Sequence, residues 1–150
     1  MKVAFTADHR GLELKNRLMQ RIAGQGHEIT DLGAFQHDAN DDYPDFAALA
    51  AKAISSGQAA RCVAVCGSGV GLAVAANKHR GVRAAVCHDA YSAKQGVEHD
   101  DMNVLCLGAV IVGEELALVL VETFLEARFN GGAKFQRRLN KVLELDRHLP

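Results

Sequence analysis

The residues Val65, Cys66, Gly67, Ser68, Gly69, Val70 and Gly71 set a cysteine at the end of a short apolar run, directly before a glycine turn. Successive backbone N–H groups in such a turn form a nest for an anion. A thiol beside those donors is favoured as the thiolate, which is a base and a nucleophile. The same N–H groups can hold an oxyanion as it forms. The bland alternative is a buried, inert cysteine before an ordinary turn, and that is the reading for Cys62, Cys87 and Cys106. Glycine turns also bind dinucleotides, and Asp89 stands at a suitable distance for a ribose hydroxyl. Gly67, Gly69 and Gly71 nevertheless lack the third spacing of GxGxxG, and they follow the third predicted strand rather than the first.

Two histidine-containing clusters stand elsewhere. In Asp8-His9 the carboxylate can orient the imidazole, and the imidazole can meet a phosphate or a sugar; the competing reading is an ordinary helix start. His99, Asp100, Asp101 and Asn103 end a predicted helix, where a histidine can pass protons between oxygens or merely favour the helix dipole. Adjacent side chains converge poorly on one ion and no CxxC pair occurs, so no metal site is expected. Lys134, Arg137, Arg138 and Lys141 share one helical face. That face can clamp a phosphate, stay solvated, or pair with the acidic loop around Asp38, Asp41 and Asp42.

These residues need elements to position them. Apolar runs predict strands at 3–7, 28–32, 62–66, 83–87 and 103–107. Between them, helical patterns run from Gly11 to Ala23, from Pro44 to before Gly57, through the alanines to Asn77, from Ala90 to His99, and from Glu114 to Arg128. A basic amphipathic helix follows over about 133–147. Residues 34–42 read as a loop. Short, continuously apolar strands alternating with helices predict an α/β fold: a three-layer α/β/α sandwich around a five-stranded parallel, Rossmann-like sheet. Ligands of such sheets bind at the carboxyl ends of the strands. The helix from Glu114 is apolar nearly all round, which predicts cover by a second copy of the chain.

The chain has 150 residues, about half of them hydrophobic (49%), which suits a single domain over 1–150 with one sizeable core. A net charge of −1 and the lack of interleaved aromatics point away from nucleic acid. No segment reads as a signal peptide or a membrane span. The four cysteines fall in or beside strand-like segments, so free thiols in a reducing cytoplasm are expected.

Taken in order, several segments resemble the ribose-5-phosphate isomerase B family, which also holds the galactose-6-phosphate isomerase subunits. They are Ala7 to Gly11 with Leu14 and Lys15, Asp42 to Asp45, Cys66 to Gly71, Ala75 to Lys78, Arg83 to Cys87, Tyr91 to Ala93, His99 with Asn103 to Leu105, and Gly131-Gly132 with Arg137. The resemblance covers nearly the whole chain. It implies a cofactor-free aldose–ketose isomerase acting on a sugar or sugar phosphate. It also implies a homodimer or dimer of dimers with sites at the interface and the helix over about 133–147 packed on the partner. On matching positions it implies Cys66 as the base, Gly67, Gly69, Val70 and Gly71 as the enediolate hole, and Ser68 holding a sugar oxygen. Asp8 and Tyr43 would contact the sugar, His99 would open the ring, His9 and Arg137 would hold phosphate, and Asp100 and Asn103 would complete the sugar site. Val110 and Ala133 stand where family members often carry arginine, so the sugar stays open: ribose 5-phosphate, another four- to six-carbon sugar, or one without phosphate. A non-catalytic sugar- or nucleotide-binding subunit is the remaining alternative.

Overall fold

A computed structural model describes residues 1–148, so Leu149 and Pro150, the end of the single domain expected, lie outside the described residues. Five strands, β1 (Lys2–Ala7), β2 (Glu28–Asp31), β3 (Arg61–Cys66), β4 (Ala84–Val86) and β5 (Val104–Gly108), form one sheet in the order β2-β1-β3-β5-β4. Every pairing is parallel, and the register sets Cys66 opposite Gly108. The helices are α1 (Leu12–Ile22), α2 (Tyr43–Ser55), α3 (Val70–Ala76), α4 (Ala90–Asp100), α5 (Glu114–Glu126) and α6 (Ala133–Leu145), followed by a 3₁₀ turn over Asp146–His148.

The layers follow from side-chain size. On one face, Leu18 and Ile22 of α1, Val97 of α4 and Leu120, Val121 and Phe124 of α5 bury bulky side chains against Phe5, Val63 and Leu105. The other face is alanine-rich: Ala47, Ala50 and Ala53 of α2 and Ala73 and Ala76 of α3 lie against Ala4, Cys62, Ala64 and Cys106. The expected three-layer α/β/α sandwich is therefore present, with one thick and one thin helical layer.

One sequence expectation shifts its ground. The apolar helix α5 is covered mainly by its own chain, because α1 and α4 flank it on both sides. Only Leu116 and Val119 among its large apolar residues stay exposed. A larger share of exposed apolar surface belongs to Tyr43, Leu49, Val70 and Val74 on α2 and α3, and to Val142, Leu143 and Leu145 on α6. Helix α6 buries only Leu139 against the rest of the chain.

Two buried cations brace the frame. Lys15 is fully buried, and its Nζ donates to Asp31 Oδ1 at 2.5 Å and to the Ala34 carbonyl at 2.8 Å, tying α1 to the loop after β2. Arg61 donates from its guanidinium to the carbonyls of Phe124 and Ala127, closing the end of α5 onto the start of β3. Burial pulls the Arg61 guanidinium down from its usual range, with Arg128 nearby adding to the effect and Asp101 opposing it. No helix among the described residues is long and apolar enough to cross a membrane.

Candidate active site

The sheet order places β1 and β3 side by side, with β2 beyond β1 and β5 beyond β3, so the chain changes direction between them. A crevice opens at the carboxyl ends of strands at such a point. Cys66 is the last residue of β3, and Asp8 follows the last residue of β1. Together with His9, Tyr43, Ser68 and Gly71 they line a cavity of about 260 Å³.

The local geometry explains the residues of the turn. Gly69 has φ of +80°, which L side chains rarely adopt, and a methyl group there would come within 3.1 Å of the Leu107 backbone. This left-handed residue turns its N–H back to Cys66 Sγ at 3.1 Å. The Val70 N–H donates to Ser68 Oγ at 3.3 Å. A methyl group on Gly71 would come within 2.9 Å of the Tyr43 ring, so the ring lies against this end of the turn. Tyr43 opens α2 with Pro44 behind it in the first turn, as the sequence suggests.

Asp8 is buried and accepts N–H bonds from Arg10 (2.9 Å) and Gly11 (3.0 Å) on Oδ1, in the turn that leads into α1. His9 does not face the cavity as a free imidazole. Its Nδ1 lies 2.5 Å from Asp41 Oδ1, and its backbone N–H donates to the same oxygen at 3.2 Å. Asp41 Oδ2 is buried without a hydrogen-bond partner. Ligand atoms of Asp8, His9 and Asp41 lie within 4.8 Å of one another, a grouping of a size that suits a metal ion. The short Nδ1–Oδ1 contact, however, already joins two of those atoms to each other.

His99, Asp100, Asn103 and Arg137 do not reach this cavity in the same chain. Helix α4 runs back from the carboxyl end of the sheet, so its last turn lies at the amino end. There His99 stacks on Phe135 of α6, with ring centroids 4.4 Å apart. Asn103 precedes β5, and five residues at ~3.3 Å each set it roughly 16 Å from Gly108. Both ends of its amide are engaged: Nδ2 donates to the Gly81 carbonyl at 2.7 Å and Oδ1 accepts from Arg83 N–H at 2.8 Å. Asp100 borders a second cavity, of about 410 Å³, between β4, α4 and α6. Arg137 is exposed on α6 and makes no ion pair among the described residues. Among the described residues no ion pair joins the basic face of α6 to the acidic loop, where Asp41 is taken by His9.

The four cysteines are free. Burial pushes the Cys62 thiol up to about 12, and burial with the Asp89 charge pushes Cys87 up to about 11. Burial also raises Cys106 well above its usual value, with the neighbouring cysteines adding to it. Asp89 caps α4 by accepting the Ser92 N–H at 2.7 Å, so the carboxylate that a nucleotide reading would need is already committed.

Three residues in or beside the site receive no role in it from the sequence. Asp41 sits in an aperiodic acidic loop, and its contact with His9 spans 32 positions. His88 follows β4 and accepts the Gly108 N–H on Nε2 at 3.0 Å, fixing the end of β5 beside the turn. Arg10 lines the cavity at Gly67. Only the position of His88 and Arg10 directly after strands hints at their place.

Residues 3–142 match the model of the family described as Ribose/Galactose Isomerase. The chain is 37% identical over 145 residues to the ribose-5-phosphate isomerase B of Escherichia coli, covering 97% of this chain and 96% of that one. It is also 37% identical over 132 residues to a D-erythrulose-4-phosphate isomerase of Pectobacterium atrosepticum, covering 88% and 87%. The solved ribose-5-phosphate isomerase B of Clostridium thermocellum superposes with a TM-score of 0.94 at 39% identity, over 100% of both chains. The parallel sheet, the glycine turn after β3 and these likenesses lead to one conclusion: the chain belongs to the ribose/galactose isomerase family and is an aldose–ketose isomerase.

Proposed function

We propose that the protein interconverts a phosphorylated aldose and its ketose through a cis-enediolate, with Cys66 as the proton-transfer base. The observation that carries this reading is the Cys66 sulfur at the mouth of β3, accepting the Gly69 N–H and facing a cavity edged by Asp8, Tyr43 and Ser68. The thiolate removes the proton on C2 of the open-chain aldose. The C–H electron pair forms the C1–C2 double bond, and the C1 carbonyl oxygen becomes the enediolate oxygen. Backbone N–H groups of residues 67–71 hold that oxygen as its charge grows. The thiol then returns the proton to C1 while the hydroxyl proton on O2 passes to O1, which leaves the ketose. No metal or organic cofactor enters these steps.

Opening the sugar ring needs a separate acid–base group. His99 fits that role only when a second copy brings it to the mouth of this cavity, because its own chain holds it at the far end of the sheet. A homodimer with composite sites follows, with Arg137 on α6 arriving beside the borrowed His99.

The test is proton NMR in D2O with four- to six-carbon aldoses, each with and without terminal phosphate. Ketose formation with deuterium on the carbon that receives the proton is expected. Cys66→Ala should lower kcat by roughly 10²–10⁴-fold with an unchanged melting temperature. Normal turnover in that variant would remove Cys66 from the role of base.

A further inference from the structure

The cavity that holds Cys66 is poor in positive charge. Asp8, Asp41 and Asp42 border it, and the one histidine on its wall is paired with Asp41. Arg10 is the only arginine or lysine among its lining residues. The side chain is exposed, and among the described residues its guanidinium makes no hydrogen bond or ion pair. It is nevertheless placed. A methyl group on Gly67 would come within 2.9 Å of Arg10 Cζ and Nη1 and 3.1 Å of Nε, so the flat of the guanidinium lies against the Gly67 backbone. Val110, whose N–H donates to the Gly67 carbonyl at 3.0 Å, borders the same glycine and brings only an apolar side chain.

The glycine turn thus has two differently furnished ends. The Tyr43 ring lies against Gly71, Arg10 lies against Gly67, and the Cys66 sulfur accepts the N–H of Gly69, which stands between those two glycines along the turn. A sugar laid along the turn with its reacting carbons over the sulfur has one end at the phenol and the other at the guanidinium. We propose that Arg10 is the specificity residue for the charged end of the substrate. Its planar fork takes the terminal phosphate in a charge-assisted, two-point contact. The neighbouring carboxylates then select against an anion that cannot reach this fork. This assignment rests on the isomerase reading of the same cavity.

The test compares the full-length wild type with Arg10→Ala, Arg10→Lys and Gly67→Ala. Titration calorimetry with ribose 5-phosphate and with inorganic phosphate, the second of which cannot be isomerised, reads binding, and the NMR assay gives KM and kcat on a phosphorylated aldose and on its unphosphorylated counterpart. Arg10→Ala is expected to weaken binding of the phosphate-bearing probes, and to raise KM for the phosphorylated sugar, by about 10- to 100-fold, as for the loss of a charge-assisted hydrogen bond. The unphosphorylated sugar should be unaffected, and Arg10→Lys should recover part of the loss. Gly67→Ala keeps the charge but displaces the guanidinium, and should reproduce the loss in binding. Equal binding of the probes by wild type and Arg10→Ala, or no binding of either probe by wild type, overturns the assignment whatever the turnover. Tight, Arg10-dependent binding with no turnover of any sugar supports Arg10 and removes the isomerase reading instead.

Discussion

Cys66 differs from the other cysteines in what surrounds its sulfur. Cys62, Cys87 and Cys106 are enclosed by apolar side chains, and burial holds Cys62 up to about 12 and Cys87 up to about 11, with Cys106 raised as well. At about pH 8 these three stay protonated and inert. Brief treatment of the native protein with iodoacetamide, followed by peptide mass mapping, should therefore modify Cys66 alone and abolish turnover. Modification of Cys62 or Cys87 at a similar rate would show that their environments are more open than the packing allows. At this scale the sequence was informative where chemistry and local backbone coincide. Cysteine, glycine and strand end stand within six positions, so Cys66 to Gly71 could be read directly. The His9–Asp41 pair could not, because one partner lies in a loop without period and the contact is fixed only when β1 and that loop meet.

At the scale of elements, the strands and helices were legible because the central strands β1, β3 and β5 are largely apolar runs ended by a glycine or a polar pair, while β2 carries only Ile29 as an apolar residue and was marked by the glycine after it. The boundaries moved by a residue or two, as at β4, which is three residues long where five were expected. The fate of α5 was less legible, since an all-apolar helix says that it is covered but not by what. Lys15 is a further case: a lysine four residues into a helix reads as surface, yet here it is the buried tie between α1 and the loop that carries Asp41. Lys15→Met should leave Asp31 without its cation and cost about 3 kcal/mol, read as a lower urea midpoint. The cap of α4 adds a pH-dependent term. The Ser92 backbone N–H holds the Asp89 carboxyl below its usual value, so the cap stabilises the fold above about pH 4 and its contribution fades as pH falls through the lowered value. The melting temperature of Asp89→Ala should therefore lie below that of wild type at about pH 6, and the gap should narrow in acid. A gap that is constant with pH would argue against the charged cap.

At the scale of the whole molecule, the residues expected to act together fall into two groups at opposite ends of one sheet. Asp8, Tyr43, Cys66 and Ser68 are at the carboxyl end; His99, Asn103 and the start of α6 are at the amino end. A two-fold pair would set each group of one copy against the other group of its mate, so two sites arise from one repeated contact. Sedimentation should give a dimer or a dimer of dimers. Mixing inactive Cys66→Ala and His99→Ala proteins after subunit exchange should restore about a quarter of wild-type activity, because half of the pairs are mixed and each holds one intact site. Mixtures as silent as their parents would show that Cys66 of one copy and His99 of the other do not share a site. The resemblance implied such a composite arrangement; spacing along the chain could not, because a sequence does not show which copy supplies a side chain.

The thin alanine layer has a bearing of its own. With alanines at its buried positions 47, 50, 51 and 53, α2 is seated close on the sheet, and Tyr43 at its first turn rests on Gly71. That layer works as a shim beneath the roof of the cavity. Thickening it at Ala47 or Ala50 by a methyl group or two would cost about 1–3 kcal/mol through overpacking, and would raise the phenol from the turn. The length of sugar that fits between Tyr43 and Arg10 is then adjustable from inside the fold, at positions that no substrate touches.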